Sequence, residues 1–132
     1  MDSFPVQTRQ RNEFVNITEP VQASLASSGI QEGIGIVYCP HTTAAITVNE
    51  AYDPDVVHDM LLWLERQVPH EQPGFRHGEG NSDSHIKASL IGSSATILVE
   101  KGQLVLGRWQ GVFFCEFDGP RRRSVRVQWV GK

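Results

Sequence analysis

The sequence contains little cysteine and no long apolar stretch, and both features narrow the classes of protein it can belong to. Only Cys39 and Cys115 occur, too few for a disulfide framework or a four-thiolate zinc site. Both lie in apolar runs, where we expect small buried side chains rather than a catalytic thiol. No apolar run approaches the ~20 residues of a membrane span, and the start "MDSFPVQTRQ" lacks the apolar region of a signal peptide. We therefore expect a cytoplasmic protein without a membrane partner.

The chain also lacks an excess of positive charge. It has 12 Lys and Arg residues and 15 Asp and Glu residues, for a net charge of -3. This charge gives no general attraction to nucleic acid or anionic lipid. The composition is that of an ordinary globular protein, 39% hydrophobic and 20% charged. A chain of 132 residues suits one domain whose core needs no disulfide or metal. We expect a single domain over residues 1–132 and no nucleic-acid partner.

Most of the chain is predicted to form strands. Runs rich in β-branched and aromatic residues are bounded by Gly, Pro or Asn, the usual punctuation of strands and turns. In the last run Val125, Val127 and Trp129 alternate with polar residues, as in a strand with one buried face, and "VEKGQLV" predicts a hairpin with Gly102 in its turn. The runs are "FPVQTRQ", "NEFVNIT", "GIGIVYC", "AAITVN", "ATILVE", "QLVLG", "VFFCEF" and "SVRVQWV".

Three segments favour helices. The strongest is "DPDVVHDMLLWLERQV", with Asp53 as N-cap, Pro54 at the first position and one apolar stripe. In "TEPVQASLASSG" we expect Thr18 as cap and Gly29 as the stop, and "SHIKASLIG" predicts a short helix capped at or near Ser84. Because these helices interrupt the strands without a regular βαβ rhythm, we expect an α+β fold with mainly antiparallel β-sheets and two or three flanking helices.

The stretch "HGEGNSDSHIK" concentrates side chains that bind metals or move protons. His77, Glu79, Asp83 and His85 lie within nine residues, and these residue types bind first-row divalent metals or act as acids and bases. The two histidines are eight positions apart, not the i,i+4 pair of a zincin helix, so spacing alone is a weak metal signal. The alternative is a solvated loop whose histidines contact nothing.

The position of this stretch before a predicted helix strengthens the functional interpretation. A loop can bend His77 and His85 toward each other, while a helix beginning near Ser84 would present backbone N–H groups to a phosphate. Lys87 would add a cation there. On this interpretation the stretch would bind metal and phosphate together, while the residues alone slightly favour the solvated loop.

A second candidate is "CPHTTAAITVNEAYDP". His41, Thr42 and Thr43 precede an apolar strand, and Asn49 and Glu50 follow it. Polar groups thus occupy both ends of one strand, and strand ends are common places for sites. The alternative is that His41 is a surface residue after a proline turn and that the other residues belong to ordinary loops.

The third candidate is "LGRWQGVFFCEFDGPRRR". Gly107 and Gly111 flank Trp109 and Gln110, which indicates a bend or a close backbone approach beside a large aromatic side chain. This pattern predicts that the aromatic ring contributes to a site.

Farther along the same segment, charged residues follow a phenylalanine-rich strand. Glu116 lies among phenylalanines and is either a shielded acid or an edge residue paired with arginine. The cluster from Arg121 to Arg123 could bind a phosphate, or it could be a solvated turn with local ion pairs to Asp118.

Taken together, four motifs resemble the YjbQ family of secondary thiamine-phosphate synthase enzymes. They are "HTTAAITVNE", "DPDVVHDM", "EGNSDSHIKASLIG" and "LGRWQGVFFCEFDGPR", and the resemblance covers almost the whole chain in the same order. Two departures stand out, since Arg108 lies where relatives often have Thr and "NSDSH" replaces a longer "DDMPSH". The resemblance implies an α+β fold and a compact homotrimer with polar sites near the subunit interfaces.

The resemblance also implies a set of site residues. The implied catalytic residues are His41, Asn49, Glu50, Glu79 and Glu116. The implied substrate-binding residues are Thr42, Asp53, Asn81, Lys87, Trp109, Gln110 and Arg121. The candidate metal ligands are His41, His77 and His85, with Glu79 or Asp83 as a possible source of oxygen.

The family's reaction joins hydroxymethylpyrimidine diphosphate to a thiazole phosphate, which gives thiamine phosphate and pyrophosphate. The leaving pyrophosphate must be stabilised by Mg²⁺, by Lys87 or an arginine, or by helix amides. An aromatic wall such as Trp109 would keep water from the cationic pyrimidine carbon. "Secondary" in the family's name also allows this activity to be a side reaction.

Two further hypotheses remain open. One is a metal-dependent hydrolase of a small phosphorylated or heterocyclic metabolite, with Zn²⁺ at the histidines and Glu79 or Glu50 as base. The other is a non-enzymatic trimer that binds a phosphorylated metabolite. Product analysis separates the first two, because only the transferase joins two substrates; tight ligand binding without turnover would favour the third.

Overall fold

The computed structural model describes residues 1–132, which form eight strands and three helices. The helices are α1 (Thr18–Ser28), α2 (Pro54–Gln67) and α3 (Ser82–Ile91). The first four strands are β1 (Asp2–Gln7), β2 (Glu13–Asn16), β3 (Gly33–Tyr38) and β4 (Ala44–Glu50). The last four are β5 (Ser94–Glu100), β6 (Gln103–Leu104), β7 (Gln110–Glu116) and β8 (Arg122–Gly131).

The strands form two sheets whose pairs are all antiparallel. A five-stranded sheet has the order β1-β8-β3-β5-β6, and a three-stranded sheet has the order β2-β7-β4. This confirms the predicted α+β fold of antiparallel sheets with flanking helices. None of the helices combines the length and apolar character needed to cross a membrane.

The long strand β8 has the predicted alternation of buried and accessible residues. Val125, Val127 and Trp129 are buried in the main core. The Trp129 ring packs directly on Gly35 of β3, where an added Cβ would lie 2.2 Å from a ring carbon. The indole N–H donates to the hydroxyl of Ser24 on α1 at 2.9 Å. Helix α1 is thereby fixed to the five-stranded sheet.

Strand β7 contributes to two separate apolar clusters, because it is buried on both faces. Phe114 belongs to the main core, whereas Phe113, Cys115 and Phe117 belong to a smaller cluster beneath the helices. Cys39 is buried as well, and burial raises the pKa of its thiol to about 11. Both thiols are therefore protonated at neutral pH, as expected of buried cysteines.

Helix α2 begins as predicted, since the Asp53 carboxylate accepts the backbone N–H of Asp55 at 2.9 Å and Pro54 occupies the first turn. The predicted stop of α1 is also correct, because Gly29 adopts a left-handed conformation with φ 72°. However, the hydroxyl of Thr18 does not cap α1. It accepts the N–H of Val112 on β7 at 2.9 Å, so it links the helix to the neighbouring sheet instead.

Helix α3 begins two residues before the predicted cap Ser84. The helix starts at Ser82, and Asn81 precedes it without a side-chain cap hydrogen bond. Ser84 is fully buried within the first turn and donates to the carbonyl of Phe117 at 2.6 Å. Because the helix starts early, His85 is its fourth residue and not its first.

Candidate functional site

Many of the predicted site residues fall into two groups at opposite ends of β4, and the others, which are His77, Glu79, Asn81, Lys87, Glu116 and Arg121, lie outside both groups. One group surrounds a cleft of about 460 Å³, which we call the histidine cleft. The other, which we call the tryptophan corner, follows β4 and precedes β7 and α2. A strand of seven residues separates the groups by about 20 Å, so one chain does not bring them together. The histidine cleft is lined by His41, Thr42, Ala44, His85, Ala88, Ser89, Gly92 and Ser93. The tryptophan corner comprises Asn49, Glu50, Tyr52, Asp53, Arg108, Trp109 and Gln110.

The His41 ring is fixed by the edge of β8. Strand β3 ends at Tyr38, opposite Arg126, whereas β8 continues beyond this pair to Arg122. The ring takes the place of the missing strand there. The backbone N–H of Ser124 donates to His41 Nε2 at 3.0 Å, and the carbonyl oxygen of Ser124 lies 3.2 Å from the same nitrogen.

The surroundings of His41 favour the neutral imidazole. Burial lowers the pKa of His41, and the nearby positive charge of Arg123 lowers it further. The Ser124 carbonyl and the charge of Glu116 act in the opposite direction but are weaker. His41 is therefore mainly uncharged at neutral pH and acts as a neutral hydrogen-bonding group.

His77 and His85 lie together, as the sequence predicted. Their ring centroids are 5.3 Å apart and the rings are nearly perpendicular, while Nε2 of His77 lies 3.9 Å from the Glu79 carboxylate. His85 also lines the histidine cleft, but His77 does not. The cleft follows the C-terminal half of α3 as far as Ser93. The expected phosphate site at the N-terminus of this helix is therefore separate from the cleft.

The three candidate metal ligands do not form one metal site within the chain. No group of three or more His, Cys, Asp or Glu side chains is arranged to bind an ion. His77 and His85 are only a pair, and Nε2 of His41 faces the Ser124 peptide. Structural zinc sites take about four ligands and catalytic ones about three. The residues of one chain therefore do not fit a closed metal centre, and a bound metal stays a prediction.

Asp83 and Lys87 form a buried ion pair on the inner side of α3. The Lys87 ammonium lies 3.0 Å from the Asp83 carboxylate, and the side chains are 2% and 0% exposed. Arg11 donates two further hydrogen bonds to this carboxylate, each of 3.0 Å. Burial raises the pKa of Asp83, but the bonds from Arg11 and Lys87 outweigh it, and the pKa is lowered. Lys87 was expected to bind substrate, yet its charge is engaged inside the protein.

Glu116 is both shielded and paired with arginine. It is fully buried, and its two carboxylate oxygens accept from Nε of Arg123 at 3.0 and 3.1 Å. Thr8 donates to the same carboxylate at 2.8 Å. Arg123 in turn donates to the Thr43 hydroxyl at 2.8 Å. Glu116, a predicted catalytic residue, therefore supports the turn after His41 without lining the cleft.

Arg121 forms the local ion pair that the sequence allowed as an alternative. Its guanidinium lies 3.1 Å from the Asp118 carboxylate, and its side chain is 50% exposed. Asn81 donates to this same carboxylate at 2.7 Å. The amide oxygen of Asn81 is the only buried side-chain N or O atom in the chain without a hydrogen-bond partner.

The tryptophan corner consists of exposed stacked groups. Trp109 and Tyr52 are 44% and 73% exposed, with ring centroids 4.6 Å apart. The Arg108 guanidinium lies 4.7 Å above the Trp109 ring. Gln110 accepts the N–H of Gly107 at 2.7 Å, which closes the turn that presents the tryptophan. The corner therefore presents an aromatic surface and an arginine without a carboxylate partner.

The carboxylates of this corner mainly organise its backbone. Glu50 accepts the N–H of Asp53 at 3.2 Å, and Asp53 caps α2. Asn49 accepts the N–H of Glu50 at 2.7 Å. All three bonds join residues at most three positions apart. The side chains are also at least partly accessible to solvent.

Four residues of these two regions were not identified from the sequence. Ser89 and Ser93 line the histidine cleft, Ser124 fixes His41, and Tyr52 packs on Trp109. Tyr52 gave a detectable signal, because an aromatic residue lies between Glu50 and Asp53 in a predicted site motif. The serines gave none, since isolated serines are typical of ordinary loops and helix ends.

Comparisons with known proteins give a consistent result. A family model described as "UPF0047 protein YjbQ-like" matches residues 2–132. The YugU protein of Bacillus subtilis is 46% identical over 131 residues, covering 99% of both chains. A solved structure from Clostridium acetobutylicum superposes with a TM-score of 0.96 at 46% identity, covering 98% of this chain and 100% of the other. One from Aeropyrum pernix gives a TM-score of 0.93 at 36% identity, covering 99% and 98%. None of these proteins' names states a reaction or a substrate.

Proposed function

Because the chain belongs to the UPF0047 (YjbQ-like) family, we propose that it is a transferase of the secondary thiamine-phosphate synthase type. In this reaction the thiazole nitrogen attacks the methylene carbon of hydroxymethylpyrimidine diphosphate. A C–N bond forms, the C–O bond breaks, and pyrophosphate leaves with the bonding electrons. The proposal rests on one observation above all, that His41 and His85 line a common cleft.

The size and lining of the histidine cleft support this choice. A volume of about 460 Å³ lies within the ~300–1,000 Å³ of small-molecule sites. It is lined by two histidines and by Thr42, Ser89 and Ser93, and no Asp or Glu lines it. Such a lining suits the phosphate groups that both substrates carry.

The cations nearest the cleft are not free to neutralise the charge of pyrophosphate. Lys87 and Arg123 are paired with buried carboxylates. We therefore include in the proposal a Mg²⁺ ion that enters with the diphosphate, which when bound would neutralise charge on the leaving group. The contribution of the chain itself is to bind and orient the phosphates and to exclude water.

We also propose that the protein is a homotrimer in which the tryptophan corner of one subunit approaches the histidine cleft of another. The outer face of the five-stranded sheet supports association, because it exposes an apolar patch. Ile34 of β3 pairs with both Leu98 and Val130, and all three are at least 39% exposed. Ile36 and Tyr38 extend the patch, with 41% and 44% exposure. Contiguous apolar surface of this kind marks interaction sites.

The test is an incubation of the purified protein with hydroxymethylpyrimidine diphosphate, thiazole phosphate and Mg²⁺, followed by detection of thiamine phosphate as thiochrome. We expect product in the wild type and a loss of roughly tenfold or more in His85→Ala, comparable to the loss of one strong active-site hydrogen bond. His58→Ala is the matched control, because His58 is an exposed histidine on α2 outside both regions. Absence of product, or equal activity in His85→Ala, would overturn the proposal.

A second candidate function is a metal-dependent hydrolase of a small phosphorylated metabolite. It is favoured by His85, a second imidazole that lines the cleft, because imidazole is a common base for activating water. Incubation of the diphosphate without the thiazole distinguishes the two, because a hydrolase would release pyrophosphate and the free alcohol. Saturable ligand binding without any product would instead support the non-enzymatic binding protein.

A further inference from the structure

The protonation of the His41 ring is dictated by the peptide it contacts. The N–H of Ser124 points at Nε2 of His41 at 3.0 Å, and a backbone N–H is always a donor. A nitrogen that accepts a hydrogen bond in neutral imidazole carries no proton. This contact favours the tautomer of His41 that carries its proton on Nδ1.

The other tautomer is disfavoured by the same peptide. A proton on Nε2 could be donated to the Ser124 carbonyl, 3.2 Å away, but the Ser124 N–H would then lose its acceptor. The N–H contact is the shorter of the two, at 3.0 Å against 3.2 Å, and an unpaired backbone N–H is rarer than an under-satisfied carbonyl, so the tautomer with the proton on Nδ1 is favoured. A metal ligated through Nδ1 would require this second tautomer, so it would meet the same penalty.

Nδ1 of His41 has no hydrogen-bond partner within the chain. It is nevertheless accessible, because the only buried side-chain N or O atom without a partner is the amide oxygen of Asn81. Since His41 lines the histidine cleft, we infer that its accessible Nδ1–H is directed to whatever the cleft contains.

The remaining polar side chains of the lining can all donate hydrogen bonds. His85 and the hydroxyls of Thr42, Ser89 and Ser93 surround the cleft, and it has no Asp or Glu. We propose that the histidine cleft binds an oxyanion, the phosphate of a small substrate, with His41 Nδ1–H as a hydrogen-bond donor. This deepens the proposed function, on which it rests for the identity of the substrate.

One local feature opposes an anion. The C-terminal end of α3 borders the cleft, and its partial negative charge extends over about the last turn. The carbonyl of Gly92 just beyond it accepts the N–H of Ile46 at 3.0 Å, so this carbonyl is not free to face a ligand. The hydrogen-bond donors of the lining therefore outnumber the free carbonyl groups at the end of α3, and this difference favours binding of an oxyanion.

The first experiment determines the tautomer directly. Long-range ¹H–¹⁵N correlation spectra of protein labelled with ¹⁵N-histidine distinguish a protonated Nδ1 from a protonated Nε2. At mildly alkaline pH, where histidines are neutral, we expect His41 to show the Nδ1–H pattern, assigned from the signal missing in His41→Gln. The Nε2–H pattern would overturn the proposal.

The second experiment measures binding of inorganic phosphate. The amide of a glutamine overlaps the position of Nε2, so His41→Gln keeps a group against Ser124 and removes the Nδ1 donor. We expect its phosphate affinity to fall roughly tenfold or more, with an unchanged thermal midpoint and with His58→Gln as the unaffected control. His41→Asn places an amide near Nδ1 and should recover part of the affinity.

Equal phosphate affinity in wild type and His41→Gln would contradict the proposal, as would saturable Zn²⁺ binding at His41 with no phosphate binding. Neither readout involves turnover. A failed transferase assay therefore leaves the oxyanion site standing, and a failed phosphate titration leaves the transferase assay to be judged by its own product.

Discussion

The histidine cleft and the tryptophan corner lie at opposite ends of one strand but are stabilised in different ways. Behind the cleft, buried pairs such as Glu116–Arg123 and a backbone clamp from Ser124 hold the side chains in place. In the corner, Tyr52, Trp109 and Arg108 are held by one another and by local turns. The cleft is thus preorganised within one chain, whereas the corner is an exposed aromatic surface.

The largest effect is expected from breaking the ion pair behind the cleft. Arg123→Ala leaves the Glu116 charge buried without its partner, which should cost about 3–5 kcal/mol of unfolding free energy. The exposed pair provides the contrast, because Arg121→Ala should cost less than about 1 kcal/mol. Urea denaturation measures both values.

A double variant separates the pairing from the packing. Glu116→Leu combined with Arg123→Met replaces both charges by apolar groups and should recover most of the stability. If Arg123→Ala costs no more than Arg121→Ala, the Glu116–Arg123 pair does not stabilise the region behind the histidine cleft.

The next effect concerns association through the sheet face rather than stability of the chain. Ile36→Lys places a charge in the exposed apolar patch, so we expect the proposed trimer to dissociate and the mass from light scattering to fall about threefold. Circular dichroism should remain that of the wild type. Thr96→Lys should act in the same direction, since Thr96 on β5 is the cross-strand partner of Ile36 and lies on the same exposed face of the sheet. A wild-type protein that is already monomeric would contradict the proposal.

Acid should lower the free energy of unfolding because it protonates the Asp83 carboxylate on the inner side of α3. The pKa of this carboxyl is lowered in the folded protein, so its contribution to stability is present above the unfolded value of about 4 and is lost as pH falls through the folded value. The stability difference between wild type and Asp83→Asn should therefore be largest near neutral pH and shrink below about pH 4. A difference that does not change with pH would show that Asp83 is not ionised in the folded state.

The contrast between the two regions also explains what the sequence could predict. Strand β8 and the start of α2 were correctly predicted, because alternation and an Asp-Pro cap are local patterns. The Ser124 clamp on His41 joins residues 83 positions apart, and no local pattern encodes it. Asp83 and Lys87 resembled site residues because the sequence shows their chemistry but not their burial. Their i,i+4 spacing was the available sign of an ion pair within the helix.

The smallest effect on stability is expected in the tryptophan corner, where the comparison can be sharpened most. Tyr52 is 73% exposed, so Tyr52→Ala should change the unfolding free energy by less than about 1 kcal/mol, since it removes little beyond one aromatic contact. If the corner completes the site of a neighbouring subunit, the same substitution should lower transferase activity clearly more than Tyr38→Phe, which retains an aromatic ring on the sheet face. Steady-state kinetics and urea denaturation on the same preparations test this. A loss of activity without a loss of stability would show that the corner contributes to the reaction. Full activity in a stable Tyr52→Ala protein would restrict the chemistry to the histidine cleft.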